Sequence, residues 1–135
     1  MDLMKSVQVS ASGMAAQSQR MQVISENIAN ADSLVTPEGG PYRRKLITFE
    51  ESIDRATGMS KVNVKHIKKD YNTPLNREYN PHHPLADNQG FLAKPNVSTL
   101  IENVDMRSAS RAYEANMSAI ESAKEMMVRS IDMLR

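Results

Sequence analysis

The chain opens with a long apolar rhythm. Between residues 2 and 30 there is no proline, and Met4, Val7, Ala11, Met14, Ser18, Met21, Ser25 and Ile28 recur at alternating spacings of three and four. That period predicts one long helix over residues 2–31, with Asp2 as its N-cap. Val7, Met14, Met21 and Ile28 fall one heptad apart and form a stripe suited to a partner helix. Gly13 lies mid-helix, flanked by Ala11, Ala15 and Ala16. Glycine there costs about 1 kcal/mol relative to alanine, a cost usually offset by close approach of another backbone. The segment closes on SENIANAD, residues 25–32. Asn30 suits a helix end, because asparagine is tolerated at a C-cap and Asp32, Pro37, Gly39 and Gly40 follow.

A second helix is predicted from Asn96, an N-cap just after Pro95, to Arg135, because no proline or glycine interrupts residues 96–135. Its broad stripe passes through Val104, Ala109, Tyr113, Met117, Ile120, Met127, Ile131 and Leu134. Ala112, Ala119 and Ala123 make a second, small face. Glu125 and Arg129 stand in the favourable i to i+4 order.

Residues 32–95 change character, holding all six prolines and four of the five glycines. Lys45 to Phe49 is β-favouring, and Val62, Val64 and His66 alternate with polar residues, so two strands of a small sheet are expected. Residues 72–95 read as a turn-rich, extended loop that is well packed or held by a partner. The fold class is therefore α+β. Two long terminal helices, packed in coiled-coil fashion, enclose a small β-rich and turn-rich middle as one structural unit.

Composition narrows the function. The 135 residues allow one modest domain, and 17 basic against 16 acidic side chains leave a formal charge of +1. Such a balance offers no general attraction to nucleic acid or to an anionic membrane. Ten methionines against 4% aromatics suit helix seams better than a thick core. With no cysteine, disulfides and thiolate chemistry are excluded. The N-terminal residues lack the apolar core of a cleavable signal peptide, and no apolar run reaches the roughly 18 residues of a membrane span.

Candidate chemistry is thin. His82 and His83 lie near Asp87, but adjacent side chains of an extended segment point apart and no third ligand stands at metal spacing, so they read as turn histidines between Pro81 and Pro84. Lys61, Lys65, Lys68 and Lys69 lack aromatic interleaving and read as a solvated strand face or one meeting acidic neighbours. Glu50 and Glu51 are adjacent, which is poor geometry for acid and base work. No nucleophile, phosphate-loop or metalloprotease motif occurs. The residues alone thus point to an interaction protein, with no catalytic residue, metal or cofactor expected. Packing between chains, in addition to an intrachain hairpin, is the favoured reading, with a soluble helical adaptor as the alternative.

SASGMAAQSQRMQVISENIANADS, residues 10–33, closely resembles the N-terminal signature of bacterial flagellar axial proteins, in which a helix ends in N-[IL]-A-N-x-x-[ST]. Asn27, Ile28, Ala29, Asn30 and Ser33 fill that pattern. GGPYRRK at 39–45, NPHHPLADNQGFLAKPNV at 80–97 and MRSASRAYEANM at 106–117 are similar to the proximal-rod members of that family. The most distinctive part runs from Pro84 to Val97, with Leu85, Ala86, Asp87, Gly90, Pro95 and Asn96. Ser33 replaces a common threonine, and Phe91 a common tyrosine.

The resemblance implies a structural subunit of the flagellar basal body that stacks helically in a rod crossing the periplasm and transmits torque. Its implied partners are copies of itself and rod proteins of the FlgB, FlgF, FlgG and FliE types, with the flagellar type III export apparatus in transit and no cleaved signal peptide. Another rod or hook component is the nearest alternative. The residues expected at assembly seams are Val7, Met14, Met21, Ile28, Tyr113, Met117, Ile120 and Met127. Gly13 is the expected point of close packing, and Asn27, Asn30 and Asn116 the expected polar contacts between helices.

Overall fold

A computed structural model describes residues 3–55 and 57–134 of the chain. The expected cap at Asp2 lies outside the described residues. In chain order the elements are α1 (Leu3–Ala29), β1 (Lys45–Asp54), β2 (Met59–Lys69), β3 (Asn76–Tyr79), β4 (Phe91–Lys94) and α2 (Thr99–Asp132).

Helix α1 stops where the asparagines predict. The Asn30 backbone N–H and its Nδ2 both donate to the Glu26 carbonyl, at 3.1 and 2.8 Å, so one side chain holds the last turn closed. Ser33 Oγ in turn donates to Asn30 Oδ1 at 3.1 Å. The chain then reverses through Gly39 and Gly40, whose φ values of +88° and +78° favour glycine.

Strands β1 and β2 form a long antiparallel hairpin, with Lys45 opposite Lys69 and Asp54 opposite Met59. The register shifts between Thr48 and Phe49. Val64 and His66 flank that irregularity and are half-buried, while Val62 is exposed. Three of the four lysines of β2 meet acids: Lys61 pairs with Asp54 at 3.0 Å, Lys65 with Glu50 at 3.6 Å, and Lys69 with Glu38.

A second hairpin, β3 with β4, occupies the segment expected to be a loop. Its four-residue strands are too short to show a period, and every residue of β3 is exposed. Helix α2 also begins later than expected. Ser98 occupies the N-cap position in extended conformation, without a side-chain cap bond. Asn96, expected as the cap, instead accepts the Arg44 N–H at 2.8 Å and donates to the Asp70 and Thr73 carbonyls, both at 3.2 Å. Its carboxamide is consumed in tying three loop segments together before the helix starts.

The two helices pack antiparallel. Asn27 lies against Glu102, and Gly13 against Asn116. Fourteen residues back along α1 thus match fourteen forward along α2, so the pairing holds a constant register. At 1.5 Å per residue the helices are roughly 40 and 50 Å long. Their seam is lined by small residues, with Ala109 and Ala123 buried and Ala109 fully so. Such side chains let the axes approach. A Cβ on Gly13 would lie 3.0 Å from Asn116 Nδ2 and 3.1 Å from Oδ1, closer than normal contact.

Asn116 is held in that place by its own bond to the Ala112 carbonyl at 2.9 Å, so its contact with α1 is packing and not a hydrogen bond. Substituting Gly13→Leu should therefore lower the thermal stability of the purified chain by about 1–3 kcal/mol through overpacking. Gly13→Ala should stay within about 1 kcal/mol of the parent, because its helix-propensity gain opposes the displacement of Asn116. Thermal denaturation of the three proteins checks the order.

Candidate assembly surface and its buried anchor

One polar cluster fixes how the helices and the first hairpin meet. Asn27 is 1% exposed, yet all four hydrogen-bonding positions of its carboxamide are used. Oδ1 accepts from the Lys45 N–H at 2.8 Å and from Tyr42 Oη at 2.9 Å. Nδ2 donates to the Lys45 carbonyl at 3.0 Å and to Glu102 Oε2 at 3.1 Å. Towards Lys45 the side chain supplies a donor and an acceptor, as the next strand of a sheet would.

Glu102, also 1% exposed, is a buried charge on α2. Its Oε1 accepts from Arg44 Nε at 2.5 Å, so the charge is paired as burial requires. Arg44 and Arg20 also reach the two oxygens of Asp105, at 3.4 and 3.5 Å. Lys45 Nζ meets Glu26 at 2.7 Å. Burial, with the nearby Glu26 and Glu102 carboxylates, pushes the Tyr42 phenol up to about 12 from its ordinary 10.0.

This anchor sets the rotation of α1, and three consecutive residues show the result. The Ser12 hydroxyl oxygen accepts the Val62 N–H of β2 at 3.2 Å, so Ser12 faces the hairpin. Gly13 faces Asn116 of α2. Successive helical residues turn by about 100°. Met14 therefore points roughly 200° from Ser12, away from the hairpin and past the edge of α2.

The same step separates Met21 from Arg20 and Ile28 from Asn27. The face turned to α2 runs through Gly13, Arg20 and Asn27, and the heptad stripe Val7, Met14, Met21 and Ile28 lies one residue further round. All four stripe residues are half-buried. On α2, Tyr113, Ile120 and Met127 are half-buried on the face turned to α1, while Met117 is 44% exposed beside it.

The other residues singled out from the sequence are placed as follows. Asn30 bonds its own helix end and Ser33, and not α2. Ala29 is exposed at the last turn, Pro84 and Leu85 are exposed, and Ala86 is half-buried. Asp87 closes the turn before β4, and Gly90 there adopts φ +82°. Pro95, Asn96 and Val97 are buried where β4 leads into α2. His83 Nδ1 accepts the Leu85 N–H at 3.1 Å, a turn role, and His82 is exposed. Among the described residues no three His, Asp or Glu side chains gather to hold a metal, and no helix is long and apolar enough to cross a membrane. Sequence reasoning missed Glu102 and Arg44. Their signal was a single acid on the apolar face of a predicted helix, which periodicity alone reads as solvent-facing.

Residues 8–34 match the family described as "Flagella basal body rod protein", and residues 88–133 match "Flagellar basal body rod FlgEFG protein C-terminal". The chain is 41% identical to the flagellar basal-body rod protein FlgC of Agrobacterium fabrum, over 94% of this chain and 91% of the relative. The chain belongs to the FlgC family of flagellar basal-body rod proteins. The FlgC of Borreliella burgdorferi is 40% identical over 100% of this chain and 99% of its own, and that of Salmonella typhimurium 38% identical over 97% of each. This family is one of structural rod proteins, and coverage near the full length of both chains carries membership to the helices and the middle segment alike.

Two measurements test the anchor. Asn27→Asp keeps the shape but loses both donors and sets a carboxylate beside Glu102. It should cost on the order of 3 kcal/mol near neutral pH. Protonation restores a donor, so the deficit against the parent should shrink as pH falls; denaturant melts across pH check this.

For Tyr42 the neutral phenol is the form the fold favours. Its contribution is complete below pH 10 and is lost as pH rises through about 12. Spectrophotometric titration should show one of the four tyrosines ionising late, and Tyr42→Phe should remove that step. Uniform titration of all four would contradict the burial of this phenol.

Proposed function

We propose that this chain is a subunit of the proximal rod, stacking helically with copies of itself and with rod proteins of the FlgB, FlgF, FlgG and FliE types. In this reading the rod crosses the periplasm and carries motor torque towards hook and filament. The subunit reaches it through the flagellar type III export apparatus, without a cleaved signal peptide, and catalyses no reaction.

One observation carries the reading. The heptad stripe Val7, Met14, Met21 and Ile28 is left half-covered on the side of α1 away from the hairpin. A stripe with coiled-coil spacing that its own chain covers only in part is suited to a helix of another subunit. Methionine adapts to seams whose neighbours differ in sequence. A rod also needs contacts between unlike surfaces that do not close into a ring. Helix stripe, hairpin and α2 face three different directions and so offer several such contacts at once.

Met21→Asp should leave expression of the chain intact but block rod assembly and motility, because it would place a charge in an apolar contact between subunits. Normal flagella in that strain would remove the stripe from the assembly.

A further inference from the structure

The arm made by β3, β4 and residues 80–90 meets neither the helices nor the first hairpin, although Leu92 at its base is buried. Among the described residues, neither strand comes within 8 Å, Cα to Cα, of a helix or of the first hairpin. Yet the arm is built to hold one shape. Asp87 Oδ1 accepts the N–H groups of Gln89 and Phe91, at 2.8 and 2.9 Å. Asn80 N donates to the Gly90 carbonyl, and Asp87 N to that of Phe91, both at 2.9 Å. A Cβ on Gly90 would meet Tyr79 at 3.0 Å and Pro81 at 3.1 Å. The Tyr79 and Phe91 rings meet edge to face with centroids 5.4 Å apart. This fixed tip nonetheless leaves Tyr79 66%, Leu85 51% and Phe91 37% exposed. A rigid apolar tip turned to solvent marks a contact surface.

The same chain carries a recess that fits it. A cavity of about 380 Å³ is walled by Pro37, Pro41, Tyr42 and Tyr71, with Arg43 and the paired Lys69 and Glu38 among its polar residues. The Arg43 guanidinium lies 4.9 Å over the Tyr71 ring and donates to the Asp70 carbonyl at 3.4 Å. No carboxylate pairs with it among the described residues. In the tip, residues 80–91, Asp87 is the one acid, its carboxylate held by the Phe91 and Gln89 N–H groups with Arg77 of the same arm nearby. Proline and tyrosine walls suit the tip's rings, and an unmatched cation suits its single acid.

We propose that the tip of the β3–β4 arm docks in the Pro37–Tyr71 recess of a second copy of this chain. Tip and recess are different surfaces, so the contact runs head to tail and propagates without closing on itself. The proposal rests on the reading that copies of this chain adjoin in the rod.

The absence of cysteine makes any introduced thiol unique in the chain. Leu85→Cys and Pro37→Cys would be encoded in two co-expressed copies of different tag size, in cells lacking the parent copy. Isolated basal bodies are then treated with a short bismaleimide. A mixed dimer that is absent when either variant is expressed alone is expected. The docking is overturned if motile cells give no mixed dimer, if Leu85→Cys links to a different protein, or if Leu85→Cys alone dimerises. Should Pro37→Cys abolish motility, Glu38→Cys takes its place on the same rim. Absence of the parent chain from purified rods would instead overturn the rod reading itself, which separates the two failures.

Discussion

Everything in this fold turns on how one helix joins a strand. A helix spends its backbone hydrogen bonds internally, so only a side chain can complete the outer edge of a neighbouring strand. Asn27 does so for Lys45, and with its two remaining positions holds Tyr42 and the buried Glu102. One carboxamide therefore links α1, the returning loop, β1 and α2. Removing Asn27 or Glu102 leaves a buried polar group without its partner, which is why the cluster specifies a single arrangement.

That polar contact also decides which apolar surface is left over. With Asn27 and Gly13 both turned to α2, two heptads apart, α1 cannot also present Met14 and Met21 there. The intrachain seam runs instead through Gly13 against Asn116 and Arg20 reaching Asp105, beside the buried Ile24, Ala109 and Ala123, while Ala16 and Val23 lie towards the hairpin side. Small residues give close axes, and the larger methionines stand to one side. In the proposed assembly this division lets each subunit fold on its small-residue seam while keeping an adaptable one for its neighbours.

Much of this was legible in the sequence, and the gaps have physical causes. Helix lengths followed from uninterrupted periodicity, and the end of α1 from Asn30. The first hairpin followed from its β-branched runs. The second did not, because four-residue strands such as Asn76–Tyr79 carry no measurable period. Asn96 looked like a helix cap because asparagine favours caps, but the same carboxamide can serve three loop segments, and tertiary contacts won. The methionine stripe was visible from its spacing. That α2 packs one residue further back was not, because only the Asn27–Glu102 contact fixes the rotation.

The central claim is that the methionine face is only half covered in the single chain and fully covered in the rod. Oxidative footprinting of the methionines, read by mass spectrometry on purified chain and on isolated basal bodies, tests it most directly. Met117, exposed, and the half-buried Met14 and Met21 should oxidise faster in the free chain than in the rod, while the buried Met59 stays protected in both. Equal oxidation of Met14 and Met21 in the two states would contradict the account.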